Sequence, residues 1–439
     1  MLLNPQVSSD QIPRVLATFL SITSVKDWNR CLSRITQRVT QNPLLAAYVA
    51  QMHAIEFEIA KVHEEISANQ FDLLAATPGR YELFAFMASV VAVHEHLSPK
   101  GKNRLRGMIL GGLKDGGLTS LQQEMSVATH LFSRGFDVRF SDIENGSGFD
   151  FLAVNDAVEV EVECKRVGLS LGRKVPRLET LKLHQRIQAQ VEHSVRALNC
   201  GLLLRVFLPD RLSANDTQQS RIASAVGAAL RSGHSQTTQY CDVQVHQFEI
   251  AGTPFQTQSG EKGLPQFRAY LEERFNVKNR EVMVLGVTGK CALAISIESK
   301  KADSLLESMF AELSVSVAKQ FTKTKPGILC VQFMDLTDEQ IRRIGAATDG
   351  PFPQPSRLLR ETSAFLSSDK RSHIHSVVFR GRGAIEARSE VVGNVLTHTV
   401  QGQGSAYFIL NENHPLSKDR RYSVFGSELA PPSRVILPS

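Results

Sequence analysis

The sequence predicts a mixed α/β protein: a helical N-terminal domain, an α/β unit behind it and a second α/β region to the C-terminus. Three observations carry this. Residues 1–118 repeat apolar side chains at three-to-four spacing with little β-branched alternation. From 119 the pattern becomes helix, three strands, helix, strand. From 236 onward, strand-like runs flank one long amphipathic stretch. The chain has 439 residues, too many for one ordinary core, so domains are expected at 1–118, 119–235 and 236–439.

The N-terminal helices are read from IPRVLATFLSI, LLAAYVAQMHAIEFEIAKVHEEI and YELFAFMASVVAVHEHL, with breaks at Pro78-Gly79 and at 98–101. A basic stretch follows (Lys100, Lys102, Arg104, Arg106), then GGLKDGG at 111–117, a glycine-rich joint where the first boundary is placed. Ser120 with Gln123 fits a capping box opening a helix over about 119–134. The strands FDVRFSD, FDFLAV and VEVEVEC come next, then a helix over about 177–199, the buried strand LLLRVFL and a helix around 217–231. Further on, VQVHQFEI, VMVLGV, CALAISIES, GILCVQFM, HSVVF and AYFIL read as strands, and SLLESMFAELSVSVAKQF as a helix.

Composition narrows the class of partner. Hydrophobic residues are 42% and charged residues 21%, as in a globular chain, and no apolar run reaches the roughly 18–20 residues that span a bilayer. The start, MLLNPQVSSDQIPR, lacks the basic and apolar segments of a secretory signal. Six scattered cysteines never form C-x-x-C, which argues for a reducing, cytoplasmic setting and against a zinc site. A net charge of +6 and a pI near 9.0 suit a nucleic-acid partner without requiring one.

The chemistry concentrates between Leu121 and Arg177. Strand side chains alternate between faces, so Glu159, Glu161, Glu163 and Lys165 share one face and Val158, Val160, Val162 and Cys164 the other. Cys164 is therefore read as core packing. If Asn155-Asp156 form a two-residue turn, Val154 faces Ala157, Asp150 faces Glu161, and Asp150 lies diagonal to Glu163 on the polar face. Two carboxylates and an ammonium then converge. Carboxylate oxygens suit Mg²⁺, and a neighbouring lysine can orient or help deprotonate a water. Glu124 sits inside the apolar stripe Leu121, Met125, Ala128, Leu131 and Phe132, where a carboxylate is costly unless paired or metal-bound. A solvated polar strand face and an edge glutamate are the structural alternatives.

These residues resemble the PD-(D/E)xK nuclease superfamily, restriction-endonuclease-like, over about 121–208. The matching positions are Glu124 in the first helix, Asp150 in GFDFL, and Glu163-Cys164-Lys165 ending the third strand. Phe149 stands where that motif writes proline. The resemblance implies an α-β-β-β-α-β core and Mg²⁺-dependent phosphodiester cleavage, with Mn²⁺ as a substitute. Asp150 and Glu163 are its implied metal ligands, with Glu161 a further candidate; Glu124 and Lys165 complete the catalytic set. DNA ranks ahead of RNA as substrate, and a role in prokaryotic defence follows by association alone. The alternative is a catalytically silent nuclease fold acting as a nucleic-acid-binding or scaffold module. The N- and C-terminal regions are left to a homo-oligomer or a partner protein.

Arg166, Arg173, Lys174 and Arg177 crowd the segment after the strand, and Gln185 and Gln188 follow on the helix; all six are candidates for holding an anionic substrate. A second E-x-K, Glu298-Ser299-Lys300, also ends a strand. No acid stands thirteen residues before Glu298, so chance or a degenerate duplication is expected there rather than a second active site.

Overall fold

Apolar periodicity and proline placement set the helices. Pro78 and Pro99 stand where one helix gives way to the next, and each opens the new helix, where a missing N–H costs nothing. The computed structural model describes the chain apart from residues 1–5, 9–10, 73–77, 147, 169, 257–262, 278–280, 335, 347–354, 382–384, 393–394, 403–406, 423 and 426–439. The first elements are β1 (Gln6–Ser8), α1 (Ile12–Ile22), α2 (Val25–Gln41), α3 (Ala46–Met52), α4 (Ala54–Ser67), α5 (Pro78–His96) and α6 (Pro99–Gly111). Then come α7 (Thr119–Ser133), β2 (Asp137–Arg139), α8 (Ser141–Asn145), β3 (Phe151–Val154) and β4 (Glu159–Val167). The middle of the chain forms α9 (Arg177–Val195), β5 (Gly201–Leu208), α10 (Asp216–Ser232), β6 (Gln236–Thr237), β7 (Asp242–Phe248), α11 (Leu264–Phe275), β8 (Met283–Val287) and β9 (Cys291–Ser299). The last part forms α12 (Leu305–Gln320), β10 (Gly327–Phe333), α13 (Asp338–Gly345), α14 (Arg357–Leu366), β11 (Ile374–Arg380), β12 (Ile385–Val392), β13 (Val395–Gly402) and β14 (Tyr407–Leu410). The fold is mixed α/β, as the sequence predicts. Among the described residues no helix is long and apolar enough to cross a membrane.

The chain divides at places other than 118 and 235. One compact unit comprises Met1–Thr36, Val49–Gly168 and Leu306–Ser439; the other comprises Gln37–Tyr48 and Leu169–Leu305. The glycine-rich joint is not a boundary but a π turn at Gly112–Gly116 inside the first unit. Glu56 of α4, fully buried, accepts the Leu118 amide at 2.9 Å and so closes the start of α7. The expected capping box is absent: Leu118 is the N-cap and no side chain caps the helix.

In the first unit a six-stranded sheet has the order β14-β11-β10-β4-β3-β2, with β10 parallel to both β4 and β11. A three-stranded sheet, β1-β13-β12, belongs to the same unit. In the second unit a five-stranded sheet has the order β6-β7-β5-β9-β8, with β5 parallel to β9. Its two faces are filled separately. Leu204, Val206, Ile295 and Ile297 pack against Leu183, Ile187 and Val191 of α9 and Ile222 and Val226 of α10. Leu203, Ala292 and Ala294 pack against Phe267 and Leu271 of α11. That alternation is the strand period at work.

The expected α-β-β-β-α-β order along 121–208 is corrected by this pairing. Helix α9 and strand β5, read as the completion of the core begun by α7, β2, β3 and β4, lie in the second unit instead. The strand parallel to β4 is β10, which follows α12 and is reached only after the chain has formed the second unit. The exchange is reciprocal. Each unit holds an antiparallel hairpin whose second strand carries an E-x-K triplet, paired in parallel with a strand that follows a long helix. LLLRVFL and GILCVQF are both apolar on both faces, so nothing in either run says which central strand it joins.

Candidate active site

The β3–β4 hairpin builds the site, with a turn two residues longer than expected. Val154 pairs with Glu159, leaving Asn155–Val158 as the loop. Asn155 organises it: its Oδ1 accepts the amides of Ala157 at 3.0 Å and Val158 at 2.8 Å. A shift of two preserves the face of every side chain. It moves Asp150 from opposite Glu161 to the position opposite Glu163, one step beyond the last pair, Phe151 with Val162. Asp150 Oδ2 accepts the Cys164 amide at 2.6 Å, which ties this carboxylate to the E-x-K triplet itself.

Strand β10 flanks β4 on its other edge, placing Leu329, Cys330 and Val331 beside Glu163, Cys164 and Lys165. Helix α7 is fastened to both strands by Gln123, whose Nε2 donates to the carbonyls of Lys165 at 3.2 Å and Cys330 at 3.3 Å. Gln123 is buried, and this tether takes the place of the capping role expected of it. Thr119, at the start of α7, accepts a hydrogen bond from Arg166 Nη1. One residue beyond Gln123, Glu124 is carried to the same acids.

Glu163 is 1% exposed, and its Oε1 lies 2.5 Å from Lys165 Nζ. Its Oε2 is buried and has no hydrogen-bond partner among the described residues. The electrostatics follow from crowding. Burial, then the Asp150 charge, pushes the Glu163 carboxyl up to about 8, against the pull of Lys165. Burial raises Asp150 to about 6, held there by the Cys164 amide and Lys165. Glu124 is driven well above the carboxylate range, first by burial and then by Asp150, Asp142 and Glu163. Asp142 on α8, raised by burial and opposed by Arg104 and Lys165, is a fourth acid that sequence reasoning missed. Its only sequence trace is a Ser-Asp pair between two strands.

Comparison of the chain with family models, with curated proteins and with solved structures finds no match. The site is therefore weighed on its own chemistry. Glu124, Asp142, Asp150 and Glu163 face one ammonium, and a cation would relieve their mutual repulsion. Among the described residues no group of three or more His, Cys, Asp or Glu is placed so that together they could hold a metal ion. Mg²⁺ does not demand one, because it keeps several waters and takes one or two carboxylates. The orphaned Glu163 Oε2 beside Asp150 fits that mode of binding.

Glu161 does not join them. Its carboxylate is buried and accepts both the Thr322 amide at 2.9 Å and the Thr322 hydroxyl, so it anchors the turn after α12. The expected anion-binding residues are divided as well. Arg166 lies in the first unit, while Arg173, Lys174, Arg177, Gln185 and Gln188 lie in the second. Within that unit Lys174 pairs with Asp210 at 3.2 Å, Arg177 with Glu281 at 2.8 Å, and Gln185 donates to the Gln41 carbonyl at 2.7 Å. These partners account for Lys174, Arg177 and Gln185 without a substrate.

The second E-x-K is closed. Arg205 on β5 reaches Glu298 through Nε and Nη2, each at 3.0 Å, and also donates to the carbonyls of Phe275 and Asn276. Lys300 pairs with Asp242. A guanidinium thus neutralises the carboxylate that, at Glu163, keeps one oxygen unsatisfied.

Proposed function

We propose that the first unit is a divalent-metal-dependent nuclease hydrolysing phosphodiester bonds, with DNA ahead of RNA as substrate. The observation that carries this reading is the buried, unpartnered Glu163 Oε2 beside Asp150, in a group where acids outnumber the one lysine. Asp150 and Glu163 would hold a Mg²⁺ or Mn²⁺ ion together with water. When bound, such an ion supplies Lewis-acid polarisation of the phosphate and lowers the pKa of a bound water.

The other residues act around that pair. Lys165, partly exposed and 2.5 Å from Glu163, can orient the attacking water and balance charge that develops on the phosphate. The Cys164 amide fixes the rotamer of Asp150, and Gln123 holds the Lys165 and Cys330 carbonyls against α7. Asp142 adds to the negative potential that favours a cation, while Glu124, driven well above the carboxylate range in the metal-free protein, would ionise only when a cation is bound beside it. The competing reading, a silent nuclease-type fold that only binds nucleic acid, is favoured by the Glu163–Lys165 ion pair, which offers partial neutralisation without a metal.

The test is cleavage of single- and double-stranded DNA and RNA with and without Mg²⁺ or Mn²⁺, alongside Asp150→Asn and Lys165→Ala. Cleavage that needs the metal and is lost in both variants is the expected result. No cleavage in any condition, or cleavage untouched by both substitutions, removes the assignment.

A further inference from the structure

Charge is not shared evenly between the two units. Within Gln37–Tyr48 and Leu169–Leu305 there are 19 Lys and Arg against 12 Asp and Glu, a balance of +7; the first unit has 31 against 32, a balance of −1. The net positive charge of the protein therefore resides entirely in the unit whose own E-x-K is closed by Arg205. Several cations there are consumed by ion pairs, but Arg211, Arg221 and Arg231 are exposed and none pairs with a carboxylate among the described residues.

One of them lines an open groove of about 550 Å³ between α10 and the segment 238–240. One wall is a stripe of α10: Thr217, Ser220, Arg221 and Ser224, at three-, four- and seven-residue spacing and all exposed. The facing wall ends in Tyr240, whose ring lies under the Arg221 guanidinium at 5.4 Å. That wall is pre-shaped: Thr238 Oγ1 accepts the amides of Tyr240 at 3.2 Å and Cys241 at 3.1 Å. No carboxylate lines the groove. Hydroxyls, a guanidinium and an aromatic plane with no opposing acid are what a nucleotide needs for its phosphate and its base.

We propose that this groove binds an unstacked nucleotide of a single-stranded nucleic acid, making the second unit a strand-holding module and not a second catalytic core. Arg221 would carry a phosphate while the Arg221–Tyr240 platform receives a base. The proposal rests on the nuclease reading for the identity of the polymer, but the groove and the charge stand apart from the site at Asp150.

The experiment is fluorescence anisotropy of a labelled oligothymidylate and of a duplex of equal length, in EDTA and across a salt series. The proteins are wild type, Arg221→Gln and Thr217→Glu. Both groove positions are exposed, so their variants are expected to fold. Single-strand affinity should fall about tenfold in Arg221→Gln and in Thr217→Glu, as for loss of one stacked base or phosphate contact. The salt slope should become shallower by about one in Arg221→Gln. Unchanged single-strand binding in both groove variants overturns the proposal, and so does an equal loss on the duplex, which would mean phosphate contact without an unstacked base. If the groove variants weaken binding and no protein cleaves anything, the nuclease reading fails while this one stands. If instead the protein cleaves and its groove variants bind normally, the nuclease reading stands and this one fails.

Discussion

Asp150 sits across the β3–β4 hairpin from Glu163 and is held there by the Cys164 amide at 2.6 Å. Two acids are thereby fixed side by side, Glu163 buried and Asp150 half-buried. Glu163 gains Lys165 on one oxygen and, among the described residues, no hydrogen-bond partner on the other. The arrangement carries an electrostatic cost in the metal-free protein, and that cost can be measured without knowing the substrate.

The first prediction concerns pH. Glu163, pushed up to about 8, and Asp150, up to about 6, bind protons more tightly in the folded than in the unfolded chain. Folding is thus favoured by protonation, so their contribution to stability falls as pH rises from about 4 and is fully lost above about 8. Metal-free Glu163→Gln should match wild type near pH 4 and exceed it by roughly 1–3 kcal/mol at pH 9 in urea unfolding. Mn²⁺ at pH 8 should raise the Tm of wild type and not that of Glu163→Gln. A stability gap between the two proteins that does not change with pH would contradict the cause assigned to these shifts.

Glu161 supplies the second prediction. Both of its oxygens are taken by Thr322. A neutral glutamine keeps an acceptor for the amide, so Glu161→Gln should retain the metal-dependent thermal shift and any cleavage within about twofold. Thr322→Val removes the hydroxyl donor from a buried carboxylate and should destabilise by about 1–3 kcal/mol. Loss of the thermal shift in Glu161→Gln would make Glu161 a metal ligand after all.

How much of this was legible beforehand depends on the kind of information each residue carries. Alternation in VEVEVEC places Glu163 and Lys165 on one face, and the parity of the hairpin brings Asp150 to it although the loop is two residues longer than a two-residue turn. The length of that turn is decided by the Asn155 side chain binding two amides downstream, a choice no propensity encodes. Asp142 leaves only the trace of a Ser-Asp pair, since α8 is five residues long and its place beside the site comes from packing. The strand partners of β4 and β9 were illegible for a different reason. Runs buried on both faces, such as β5 and β10, hold no alternation to assign them to one sheet over another.

A third prediction tests the entry to α7, the helix that presents Glu124 and Gln123. Gly117 has φ of +78°, and a Cβ there would lie 2.3 Å from the Met52 carbonyl. Gly117→Ala therefore combines left-handed strain with a backbone clash, and should cost about 2 kcal/mol or more. Gly116→Ala, where a Cβ meets nothing within 4 Å, is the control and should be near neutral. Equal unfolding midpoints for the two variants would show that the joint tolerates movement.

The last prediction asks whether Arg205 is what closes the second triplet. Its guanidinium meets Glu298 with two 3.0 Å hydrogen bonds, and the two side chains are only 16% and 10% exposed. Arg205→Met strands a largely buried carboxylate and removes the donors to Phe275 and Asn276, so a loss of roughly 3–5 kcal/mol is expected. Arg205→Met combined with Glu298→Leu removes the charge together with its partner and should recover much of that loss, since an apolar pair of similar volume can replace an ion pair. The metal-dependent thermal shift at Asp150 and Glu163 should persist in both proteins. If the single variant loses less than about 1 kcal/mol, or the double variant is no better than the single one, Glu298 does not depend on Arg205 and the closure has another cause.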